Sequence, residues 1–147
     1  IEKKYKFVPL WDTQAVLKNW SIFTEGLEKI ALHTDDEMDF NTLLNEILSG
    51  KLLMWIGFVD GEYNGFSTTK FSENSLGKRY LWVVHGYIKI EGDHDAWTEG
   101  MKVLEEFARK SNCSALKFYT DREKPYARKI SKLGWRITYT EFVKDIK

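Results

Sequence analysis

The chain has 147 residues, the length of one domain, with 43% apolar residues and 22 basic side chains (Lys and Arg) against 22 acidic ones. Zero net charge argues against bulk nucleic acid as a partner, and a single cysteine, Cys113, excludes an internal disulfide framework and fits a reducing, cytoplasmic setting. The longest apolar run, residues 52–59, is far too short to cross a membrane, and no stretch reads as a signal peptide.

Residues 4–10 place Tyr5 and Phe7 between basic residues and end near Pro9, which predicts a short first strand. Asp12 or Thr13 can cap a helix, and Val16, Trp20, Phe23, Leu27 and Ile30 then recur at helical spacing. Residues 33–39 (HTDDEMD) form an acidic loop. Phe40, Leu43, Leu44, Ile47 and Leu48 predict a second amphipathic helix, stopped by Gly50. Residues 52–59 read as a buried strand, Asp60-Gly61 as a hairpin turn, and residues 63–71 as the returning strand.

After a polar loop at 73–78, residues 80–90 form the most apolar strand, with Gly86 near its middle. A turn holding Glu91, Asp93, His94 and Asp95 leads into a helix over 96–110, with Trp97, Met101, Leu104, Phe107 and Ala108 on its buried face. Asp95 is the expected cap of that helix, bonding the N–H of Trp97 or Thr98. Residues 115–120 are the next strand, and Cys113 sits before it as a small buried residue. Pro125 suits the first position of a fourth helix and Gly134 the position just past its end. Residues 135–143 alternate again and predict a last strand. The expected fold is a single α/β domain with a mixed sheet and about four helices.

Three local features resemble the GNAT N-acetyltransferases. They are the hairpin FVDGEYNGF at 58–66, the glycine at 86 in the central strand, and Lys132-Leu133-Gly134-Trp135 closing the last helix. The resemblance covers nearly the whole chain and implies splayed central strands, with acetyl-CoA bound where they part and an amine as acceptor. It also implies roles. His85 stands where some relatives place a general base, and Tyr126 is the candidate acid, one turn before the usual tyrosine position, here Ile130. Backbone at Tyr87 and Ile88 would meet the thioester. Counting back from Val103-Leu104 puts the family's pyrophosphate loop at 95–100, so Trp97, Thr98, Glu99 and Gly100, with Arg128 from the basic patch, would face the cofactor. Only Gly100 matches the loop's pattern, and the crowded carboxylates predict weak acetyl-CoA binding.

Glu91, Asp93, His94 and Asp95 lie in one short turn with no second cluster, so no metal is expected. His33, Asp35, Asp36, Glu37 and Asp39 would border the acceptor side and favour a cationic amine; the plainer reading is a solvated run that caps the next helix. Arg122, Lys124, Arg128, Lys129, Lys132 and Arg136 form a basic patch, either an exposed helix face or a contact for a phosphate or acidic partner. Two functions stay open. One is acyl transfer from acetyl-CoA to an amine. The other is a catalytically silent fold acting as a structural or protein-binding subunit, similar to compact bacteriophage-encoded relatives that would sit in the host cytoplasm or the virion.

Overall fold

A computed structural model describes residues 2–32, 38–120 and 129–146. Five strands form one sheet in the order β1-β2-β3-β4-β5: β1 (Tyr5–Pro9), β2 (Leu53–Val59), β3 (Glu62–Glu73), β4 (Arg79–Ile88) and β5 (Ala115–Phe118). The first four are antiparallel, and β5 joins β4 in parallel. Pro9 carries no N–H to give to a ladder, and it sits in the edge strand, where that costs little. The β2–β3 turn has Asp60 at φ 51° and Gly61 at φ 82°, two consecutive positive values that fit the right-handed twist of a tight hairpin.

The expected first helix is two helices, α1 (Thr13–Lys18) and α2 (Trp20–Ala31). Asp12 caps α1 by accepting the Gln14 N–H at 2.9 Å. Asn19 breaks the run: its side-chain amide donates to the Ala15 carbonyl at 2.8 Å, competing with the helix's own backbone bonds. The third helix, α3 (Phe40–Leu48), is capped by Asp39. These three helices cover one face of the sheet, where Val16, Phe23, Leu27, Leu43, Ile47, Met54, Ile56 and Phe66 form a buried cluster. The other face carries α4 (His94–Lys110), whose Met101 and Leu104 pack with Trp55 and Val83. Trp55 anchors that side: it stacks on Phe7 at 5.4 Å, meets Phe107 edge-on at 5.0 Å, and donates its indole N–H to Thr69 at 2.9 Å.

Two sequence expectations fail here. Helix α4 begins at His94 rather than at residue 96, and its cap is Asp93, not Asp95. Residues 135–146 contain no strand. Their alternation marks a one-sided apolar surface, but a strand exists only where a neighbour completes its ladder, and this segment pairs with no described strand. Trp135 alone of the run packs inward, on Phe118 at 5.0 Å and Trp97 at 6.2 Å. The expected fourth helix falls mostly on 121–128, outside the described residues. Its end is a 3-10 turn, Ser131–Leu133, closed by Gly134 at φ 91° with Trp135 N–H on the Ile130 carbonyl at 3.2 Å.

Candidate active site

The site is built by one extra residue. Thr69 pairs with Val83 and Thr68 with His85, so Val84 is a bulge in β4. Side chains alternate along a strand, so Leu81, Val83, His85 and Tyr87 would share a face without it. With it they divide: Val83 packs toward α4, whereas Tyr87 packs against the α1–α3 cluster. The parallel pairing with β5 also ends here, at Val83 opposite Phe118. The two strands part as expected, but the bulge at Val84 starts the separation, two residues before Gly86. Lys89 N–H turns to the Asn64 carbonyl of β3 at 2.6 Å. Alternation then turns the Ile88 N–H the other way, into the gap beside β4.

His85 stands at the start of this gap. Its Nδ1 lies 2.7 Å from Oγ1 of Thr68, which has no exposed surface, and its backbone N–H donates to the same oxygen at 3.1 Å. Ser67 Oγ donates to the His85 carbonyl at 2.8 Å. Burial pushes the imidazole pKa down to about 4, because a charged ring would lose water it cannot replace. Tyr87 lies against α2, its hydroxyl 3.4 Å from Lys29 Nζ. Gly26 makes that approach fit: a Cβ there would come within 2.6 Å of Phe66 and 2.7 Å of Tyr87. Beneath them the Tyr63 hydroxyl is buried with no hydrogen-bond partner among the described residues.

The expected pyrophosphate loop at 95–100 is helical, so Trp97, Thr98, Glu99 and Gly100 lie in the first two turns of α4. Gly100 rests over the Phe7 ring, with a Cβ there meeting it at 3.9 Å, which is ordinary packing. Glu99 pairs with Lys102 at 3.1 Å. The true β4–α4 connection is 89–93. There Asp93 Oδ1 accepts the Ala96 N–H at 3.1 Å and the Tyr5 hydroxyl at 3.3 Å, while Trp97 N–H bonds the Asp93 carbonyl at 3.3 Å. The donors that a helix N-terminus offers to an anion are thus largely taken by the chain itself. Oδ2 of Asp93 is buried without a partner among the described residues.

Beside this terminus lies a cavity of about 450 Å³, lined by His94, Trp97, Thr98, Lys129, Ile130, Lys132 and Leu133. Lys129 Nζ sits 2.6 Å from His94 Nε2. Tyr126 and Arg128 lie outside the described residues. So do His33, Asp35, Asp36 and Glu37, and Asp39 is engaged elsewhere: the Thr42 hydroxyl and the backbone N–H groups of Asn41 and Thr42 hold its pKa below the usual carboxylate range. No group of three or more potential ligands could hold a metal among the described residues. Nor is any described helix long and apolar enough to cross a membrane. Sequence reasoning missed Val84, Thr68 and Asp93. Only the last had a signal, as an alternative cap two residues before Asp95.

The mixed sheet, the parting of β4 from β5 and the strand–helix connection at their mouth make up the fold of the GNAT acetyltransferases. No protein-family model and no curated protein sequence matches the chain. Solved structures do. An aminoglycoside acetyltransferase from an uncultured soil metagenomic sample, in complex with trehalose, is similar with a TM-score of 0.68 at 10% identity, over 99% of this chain and 97% of its own. Glucosamine-6-phosphate N-acetyltransferase from Arabidopsis thaliana gives 0.66 at 13% identity, over 98% and 99%. A predicted acetyltransferase from Clostridium acetobutylicum, solved with acetyl-CoA, gives 0.64 at 15% identity, over 98% and 96%. At such identities the likeness is one of fold.

Proposed function

We propose that the protein is an N-acyltransferase that moves an acetyl group from acetyl-CoA to an amine. The observation that carries this reading is the gap beside β4, opened by the Val84 bulge, with the Ile88 N–H turned into it. A thioester held there would have its carbonyl polarised by that donor, in line with the roles expected of Tyr87 and Ile88. The ammonium of the acceptor loses a proton, its nitrogen attacks the carbonyl carbon, the C–S bond breaks, and the CoA thiolate takes up a proton. Holding both reactants in one cleft is the main source of rate. Lys129 and Lys132, with Trp97 and Thr98, suit the phosphate-bearing part of CoA. The α4 terminus suits it less, because Asp93 already occupies the donors.

That same cap supports a second reading, a silent GNAT-like fold that binds a partner and performs no transfer. Thiol release from acetyl-CoA, measured over a panel of amines including amino sugars and peptide N-termini, separates the two. Amine-dependent release supports the enzyme. Absence of both release and any acetyl-CoA-induced thermal shift leaves the binding subunit.

A further inference from the structure

A hydroxyl has one proton and two lone pairs. One lone pair of Thr68 Oγ1 is taken by the His85 backbone N–H at 3.1 Å. Were the imidazole proton on Nδ1, it would take the second lone pair, and the Thr68 proton would be left without an acceptor at a position with no exposed surface. Buried polar hydrogens are rarely left so. The count closes only if the Thr68 hydroxyl donates to Nδ1, which puts the ring's own proton on Nε2. That nitrogen has no partner among the described residues, and His85 is partly exposed at the start of the gap.

We propose that His85 acts in the cleft as a hydrogen-bond donor through Nε2–H, held in that tautomer by Thr68 as a positioning residue, and that it binds an oxygen lone pair of a ligand instead of removing the amine's proton. The tautomer stands on the hydrogen-bond geometry, and its catalytic consequence rests on the acyl-transfer reading. The strongly disfavoured protonation of this ring agrees, since a ring so reluctant to take a proton is a poor base. With no base at His85, the acceptor gives its proton to another group or to water, or arrives already neutral. For an acceptor that arrives neutral, the site then favours amines of the α-amino type over lysine-like ones, whose neutral fraction at pH 7 is smaller by a factor of roughly 250–500.

The test is nitrogen NMR of the intact protein labelled at histidine. The expected result is a pyridine-like signal at Nδ1 and a pyrrole-like signal at Nε2 of His85, kept in Thr68→Ser and changed in Thr68→Val. A pyrrole-like Nδ1 in the native protein overturns the proposal, whether or not any variant folds and whether or not an acceptor is known. Where turnover is measurable, His85→Gln, which can donate but cannot act as a base, should keep kcat/KM within about tenfold of the native value, and His85→Ala should lose at least a further tenfold. Equal losses in the two variants would also overturn it.

Discussion

The depressed pKa of His85 has a sign for stability. The unfolded imidazole takes a proton near pH 6.5 and the folded one only near about 4. The neutral ring therefore favours the folded state fully above pH 6.5, and that contribution falls away as pH drops toward 4. Its size is at most ~3 kcal/mol. Urea denaturation at pH 7 and pH 4.5 should show the difference shrink in His85→Gln; an unchanged difference would mean the ring titrates normally. Asp93 gives a second expectation at this scale. Asparagine caps helices about as well as aspartate, so Asp93→Asn should keep the melting temperature while removing one negative charge from the mouth of the cleft. Calorimetry should then find CoA bound about fivefold tighter or more, since one such charge at ~4 Å costs ~1 kcal/mol even in water. Equal affinity would show that this carboxylate does not close the site.

At the scale of elements, tight backbone contacts decide what each strand tolerates. A Cβ on Gly65 would overlap the Tyr87 carbonyl oxygen, so β3 and β4 can approach only because this residue is glycine. Gly65→Ala should destabilise the fold by roughly 1–3 kcal/mol and disturb the cleft backbone with it, measurable by denaturant titration and by lost acetyl-CoA response. Much of this layer was legible in the chain. The strands, the Asp60-Gly61 turn and the apolar stripes of the helices follow from local periodicity and turn chemistry, which act over a few residues. The bulge at Val84 was not legible, because nothing in Val83-Val84-His85 signals that two residues will oppose one. That single shift decides on which face His85 lies. The cap at Asp93 was missed for a related reason, since Asp93 and Asp95 are both good caps, and Asp93 also receives the Tyr5 hydroxyl from a distant strand, which local sequence does not show. The absent last strand shows the reverse error, an alternation that reads as a strand in a segment that pairs with no described strand.

For the molecule as a whole, the described tail leaves much apolar surface in water. Ile137, Tyr139, Phe142, Val143 and Ile146 are all more than half exposed, with Phe142 at 93%. Side chains that bury so little contribute little to folding, so replacing Tyr139 and Phe142 by serine should shift the unfolding free energy by no more than about 0.5 kcal/mol. A larger loss would mean that the segment packs somewhere in solution, against the sheet edge or against another molecule.

The division of β4 at its bulge should also be visible in time. Residues 80–83 are held between β3 and β5, whereas those from 85 onward have β3 alone. Amide hydrogens along one continuous strand would then exchange with solvent deuterium in two regimes, slow where β3, β5 or Thr68 holds them and fast where, like the Ile88 N–H, they face the gap. Acetyl-CoA bound in the gap would slow only the second group. The half of the strand that stays loose in the free protein would thereby report cofactor occupancy without any assay of the reaction.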